Sequence, residues 1–144
     1  MKTLTRFLFA ALLCTCAARA EVPGIVTGGF EAYKASGLKS ALTTWLRGAQ
    51  PSIAVVATSA IPPEPEAGSE LTGIWGPMES FEILAVYSPS PRLRRVYAVA
   101  YTPAGPVFCR IDLCKSTGSW VTYDLRLNVS PDALLPVELI ERTG

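Results

Sequence analysis

Outside the first sixteen residues, the only cysteines lie in one short run, FCRIDLC, as Cys109 and Cys114. Two thiols at that spacing could close a disulfide, supply half of a metal site, or face opposite ways. The metal reading is the weakest. The chain contains no histidine, and structural zinc takes four ligands, nearly all Cys or His. The same lack removes the side chain most often used as a general acid or base. The remaining groups with chemical potential are carboxylates and guanidinium groups close together in sequence: Glu82, Arg110, Asp112, Asp124 and Arg126. There is no phosphate loop, nucleophile elbow or dinucleotide fingerprint. Asn128-Val129-Ser130 fits the N-glycosylation pattern. It is read as coincidence, since it ends a strand, Pro131 follows, and nothing in the leader marks a eukaryotic host.

The elements that must position these groups can be read from hydrophobic period. From Glu79 onward the period is two. The runs SFEILAVYS, RLRRVYAVAY, PVFCRIDLC and WVTYDLRLNV are separated by PSP, TPAG and KSTGS. Such breaks are hairpin turns, so the C-terminal half is expected to be a four-stranded antiparallel meander. Symmetric closure of the hairpins puts Phe81, Val99, Cys109 and Leu125 in one cross-strand row and Ile83, Tyr97, Ile111 and Tyr123 in the next. This face also takes Arg95, its only charge, and is assigned to the core, because a one-residue slip would turn every such side chain outward. The other face receives Glu82, Ala98, Arg110 and Asp124 in one row. The rows beside it are Leu84, Val96, Asp112 and Thr122, and Ser80, Ala100, Phe108 and Arg126. On this register Ala98 leaves room for Arg110 to reach either acid.

The register bears on the thiols. Residues an odd number apart on a strand point to opposite faces, and five residues span about 16 Å, whereas a disulfide needs Cα atoms within about 7 Å. Cys109 is therefore expected in the core and Cys114 at the strand end on the other face, near Trp120. A disulfide stays open as the alternative if the segment is a loop, because the leader described next points to an oxidising compartment.

The chain opens MKTLTRFLFAALLCTCAARA. A short basic start, an apolar run from Phe7 to Cys16 and Ala18-Arg19-Ala20 form a signal-peptide pattern with cleavage expected before Glu21. Leu13 and Thr15, which precede the two leader cysteines, do not fit a lipobox. No apolar run reaches the roughly 20 residues of a membrane span. Residues 21–144 are expected to form one exported domain, periplasmic or secreted. Residues 21–29 read as an extended lead-in. Two short helices or one broken helix are expected over residues 28–48, with Ser36-Gly37 as the break. Leu38, Ala41, Leu42, Trp45 and Leu46 make one apolar stripe, with Trp45 as a core anchor. Ser52 to Ala57 is a strand or a further helical turn, residues 61–69 a proline-rich solvated loop, and Glu70 to Trp75 another turn of helix. Ser130-Pro131-Asp132 carries a helix-start signal, with Pro136 ending it and a fraying tail beyond.

Cleavage removes Lys2, Arg6 and Arg19, leaving 10 basic and 12 acidic residues of the original 13 and 12. A net charge of −2 argues against a nucleic-acid partner. The mixed outer face, with Glu82, Phe108, Arg110, Asp112, Trp120, Asp124 and Arg126, is the candidate binding or dimer surface. Its apolar spots Leu84, Val96, Phe108 and Trp120 suggest a homodimer contact.

Helices followed by a curved four-stranded meander, with the tail GSWVTYDLRLNVSPDALLP, resemble small exported NTF2-like (cystatin-like α+β) proteins. The resemblance covers residues 28–135. It implies a helix-covered sheet and a family whose enzymes place an Asp, Glu or His beneath the helices. No catalytic position carries over, because the assigned inner face has neither carboxylate nor histidine. The expected function is a non-enzymatic binding or assembly module for a protein or small hydrophobic ligand, with no cofactor and no metal. Two alternatives remain. An NTF2-like enzyme would need Asp112 or Asp124 beneath the helices. An inhibitor or immunity-type protein of a secreted enzyme would present SPSP or the proline-rich loop.

Overall fold

A computed structural model describes residues 20–53 and 75–142. The signal-peptide pattern, the proline-rich loop and most of the runs 52–57 and 70–75 lie outside them. Ser52 and Ile53, the described part of the first run, are helical together with Pro51.

Helix α1 spans Gly24–Ser36 and helix α2 Leu38–Trp45. The break falls at Gly37, where φ is 87°, a left-handed value that favours glycine. The N-terminal boundary differs from the sequence reading. Pro23, at φ −58°, precedes the first helical residue, so most of the segment expected to be extended is helix. Gly28 and Gly29 lie inside it. The reason is at Gly29, where a Cβ would stand 1.9 Å from Trp45 Nε1. The glycine lets the indole of α2 lie directly on the α1 backbone. There its Nε1–H donates to the Val26 carbonyl at 3.0 Å. Phe30 meets Trp45 edge-on at 4.9 Å and stacks on Phe81 of the sheet at 4.6 Å. Trp45 is thus the core anchor its spacing implied.

Strands β1 (Ser80–Ser90), β2 (Leu93–Thr102), β3 (Gly105–Ser116) and β4 (Ser119–Asn128) form one antiparallel sheet in chain order. The expected meander and α+β class are present. The register is not the symmetric one. Ile83 pairs with Ala98, which pairs with Cys109, which pairs with Leu127. Val96 pairs with Ile111, and Ile111 with Leu125. The helices therefore cover Val96, Ala98 and Ala100 of β2, whereas Arg95, Tyr97 and Val99 lie on the opposite face. The reason is steric. Phe30 and Trp45 need small partners on the central strand, and the alanines supply the space. Residues Val96 to Ala100 are buried without a break, so alternation could not choose a face for this strand.

Two bulges, with a further register shift between Tyr87 and Ser90 beside the β1–β2 turn, complete the difference. Of the two bulges, one lies between Ile83 and Ala85, the other opposite Asp112 and Leu113. Each inserts one unpaired residue and reverses the facing of the strand beyond it. In β4 the extra residue is Tyr123. It is 42 % exposed, contrary to its inner assignment, while Thr122 turns inward, fully buried, and donates its hydroxyl to the Trp45 carbonyl at 2.6 Å. Ile111 stays inside. The Tyr33 hydroxyl donates to the Gly76 carbonyl at 3.3 Å, and its pKa is pushed up to about 12, by burial first and by Cys109 second.

The expectation for the thiols holds. Cys109 is buried between the helices and the sheet, Cys114 is half-buried, and both are free. Burial pushes the Cys109 thiol above its ordinary range. In protein beginning at Glu21, DTNB is expected to titrate Cys114 in the native state and both thiols after denaturation. Reaction of Cys109 should be slower by on the order of 1,000-fold, because it waits for unfolding. Equal rates would place Cys109 outside the core.

The tail does not fray. A 3-10 turn, Pro131–Ala133, starts where the Ser-Pro-Asp signal placed it. The Ser130 side chain makes no cap; its backbone N–H instead takes the Asn128 Oδ1 at 2.8 Å. Pro136 then precedes a one-turn helix, α3 (Val137–Ile140), rather than ending one. Leu134, Leu135, Leu139 and Ile140 pack over Tyr97, Val99, Phe108, Leu84 and Ala85, making a second apolar cluster on the outer face.

Candidate functional site

The part of the outer face left open by the tail is organised by strand pairing. Tyr87 lies opposite Arg95, Arg95 opposite Asp112, and Asp112 opposite Asp124. The next row places Tyr97 opposite Arg110 and Arg110 opposite Arg126. Like charges thus face each other across β3 and β4, an arrangement that is unfavourable in isolation. Attraction runs directly across β2 and β3, and otherwise along the strands and diagonally. Arg95 donates through Nε at 2.6 Å and Nη2 at 2.8 Å to the two oxygens of Asp112. Arg110 Nε lies 3.6 Å from the same carboxylate, and its Nη2 donates to Asp124. Arg126 Nε reaches Asp124 at 3.1 Å. The result is one chain of five charges ending in solvent at Arg126.

Asp112 is the keystone. It is 1 % exposed, and a carboxylate buried that far needs pairing and hydrogen bonds to remain charged. The planar fork of arginine supplies both. In return, donating to Asp112 pushes the Arg95 pKa further up. The Tyr123 hydroxyl is also shifted up, by partial burial first and by the Asp112 charge second.

Beside this chain lies an open groove of about 710 Å³. Its aromatic walls are Tyr87, Tyr97 and Tyr123, with Leu93 at one end and Pro136 of the tail at the other. Tyr87 meets Tyr97 edge-on at 5.9 Å. Arg94, Arg95, Arg142 and Glu138 are its charged lining. Tyr87, Glu138 and Arg142 also line a second cavity of about 480 Å³, along Ile83 to Val86.

Arg110, Asp112, Asp124 and Arg126 are brought together as expected, but the room for Arg110 comes beside Tyr97 and not Ala98. Glu82 stands apart and accepts from the Tyr101 hydroxyl at 3.3 Å. Phe108 is buried under the tail. Trp120 is on the inner face, packed against the core, with the Arg94 and Lys115 cations 5.0 and 6.0 Å from its ring centre. The apolar patch read as a dimer contact is therefore dispersed. Leu84 and Phe108 are covered by the chain's own tail, and Val96 and Trp120 face the helices. Neither aspartate lies beneath the helices, as a cone-type catalytic carboxylate would.

Sequence reasoning missed Arg95, Tyr97 and Tyr123 because β2 was turned over and the β4 bulge was invisible. It missed Pro136, Glu138 and Arg142 because the tail was read as fraying. The apolar set Leu134, Leu135, Leu139 and Ile140 was the available signal for that cover.

Among the described residues no group of three or more His, Cys, Asp or Glu could hold a metal ion, and no helix is long and apolar enough to cross a membrane. No protein-family model, curated protein or solved structure matches the chain.

Proposed function

We propose that this chain is a small exported, non-enzymatic binding module whose ligand lies in the groove on the outer face of the sheet. The observation that carries the reading is the groove itself. It has the size of a small-ligand site and combines apolar and aromatic walls with a few fixed polar groups. Its floor is preorganised, because Arg95 is held on a buried carboxylate and does not have to be ordered by the ligand. The two faces have separate tasks in this reading: the inner one packs the helices, and the outer one is half covered and half open. Helices preceding a meander also support a distant kinship with NTF2-like and cystatin-like domains, with the sealed outer tail as a local departure. The signal-peptide pattern supports export to the periplasm or beyond. The catalytic alternative is less well supported, since both oxygens of Asp112 accept from Arg95.

The neutral dye N-phenyl-1-naphthylamine tests the reading. It is expected to bind native protein saturably, one per chain, with enhanced fluorescence. Tyr123→Ala should weaken binding about five-fold or more, on the scale of one lost aromatic contact. Tyr123 is exposed at a bulge, so this variant should keep its fold. Absence of saturable binding by the native protein would refute the proposed groove.

A further inference from the structure

We infer that the groove selects amphipathic small molecules carrying an anionic group on a planar apolar body, such as aryl carboxylates and sulfonates. The inference rests on the proposed binding function and adds the charge of the ligand. Lining or underlying the groove are five arginines, Arg94, Arg95, Arg110, Arg126 and Arg142, against three carboxylates, Asp112, Asp124 and Glu138. Arg94 is already engaged. Its Nη1 donates to Ser88 and to the carbonyls of Ser90 and Leu93, and its guanidinium covers Trp120. These partners are neutral, so Arg94 keeps its charge and the site carries an excess positive charge of two.

The placement of that charge decides the kind of ligand. Arg95 gives two of its five N–H donors to Asp112, and a third is accounted for if the adjacent Tyr97 hydroxyl takes one. Its side chain is nevertheless 41 % exposed, so donors remain for a ligand oxygen. A guanidinium clamped on one edge and open on another suits a carboxylate or sulfonate, whose oxygens match its spacing. Tyr87 and Tyr123, 43 % and 42 % exposed, stand beside it and offer ring surface to an aromatic body. A cationic ligand would gain from the rings but would oppose Arg95 and Arg142.

The test pairs two dyes of similar ring system and different charge. Anilinonaphthalene-8-sulfonate carries one sulfonate; N-phenyl-1-naphthylamine carries none. At low salt the sulfonate is expected to bind native protein at least five-fold more tightly, and the preference should shrink as salt is raised. Arg142→Glu, at an exposed position of the lining away from the buried pair, should weaken the sulfonate about five-fold more than it weakens the neutral dye. Arg95→Gln, checked for native circular dichroism, should remove the preference. Equal affinity for both dyes, or a preference that survives both substitutions and high salt, would overturn the inference while leaving the groove in place. Failure of both dyes to bind would refute the groove itself.

Discussion

Replacing Asp112 with alanine is expected to destabilise the protein by about 3 kcal/mol, toward the lower end of the cost of breaking a buried ion pair. The carboxylate is almost wholly buried, and two arginines converge on it. Its removal leaves Arg110, 18 % exposed, with one acid instead of two, and leaves Arg95 without a partner for its fork. Arg95 is 41 % exposed, so water and salt screen part of the loss, and the upper end of the range does not apply. Against a total stability of roughly 5–15 kcal/mol for a domain, the variant is still folded at low temperature but melts early. Asp112→Asn keeps the shape and some acceptor capacity and should lose less than the alanine variant. Urea denaturation checks both. An unfolding free energy within about 1 kcal/mol of the parent for Asp112→Ala would mean that the charge chain decorates the sheet without holding it.

The second large effect has the opposite sign from helix propensity. Glycine inside a helix costs about 1 kcal/mol relative to alanine, so Gly→Ala in α1 should ordinarily stabilise. At Gly28 it should, by roughly 0.5–1 kcal/mol, since a Cβ there meets only Thr44 Cγ2 at 3.8 Å. At Gly29 the same change is expected to cost about 3 kcal/mol, the upper range for overpacking a core. The new methyl would fall within 1.9 to 2.5 Å of three atoms of the Trp45 ring. The ring cannot step aside without breaking its bond to Val26 and its contact with Phe30. Thermal melts of the two variants side by side provide the measurement. If Gly29→Ala melts at or above the parent temperature, the indole does not sit on the α1 backbone.

Legibility in the sequence followed how single-valued each pattern was. In β3, Val107, Cys109, Ile111 and Leu113 alternate with polar or larger residues, so one face could be chosen and the cysteine question answered. In β2, Val96 through Ala100 are apolar without interruption, and the choice needed the volumes of the facing aromatic residues, which period does not encode. The bulges were hidden for a related reason. An extra residue such as Tyr123 looks like any other strand residue, yet it reverses everything beyond it, which is why Thr122 and Tyr123 exchanged faces. Of the candidate site, the four charges on β3 and β4 were readable because they share two strands with one uninterrupted phase in that region. The aromatic half was not, since it draws on β1, β2, the bulge and the tail together.

The tail that seals the outer strip is also the last described part of the chain to leave the ribosome. Without it Tyr97, Val99 and Phe108 meet solvent, or a neighbouring molecule, because Leu135 and Leu139 are their cover. A sheet whose four strands pair before the tail docks therefore shows a sticky stripe. A chain clipped just past Asn128 stays in that condition, and self-association through the bare stripe is its natural fate.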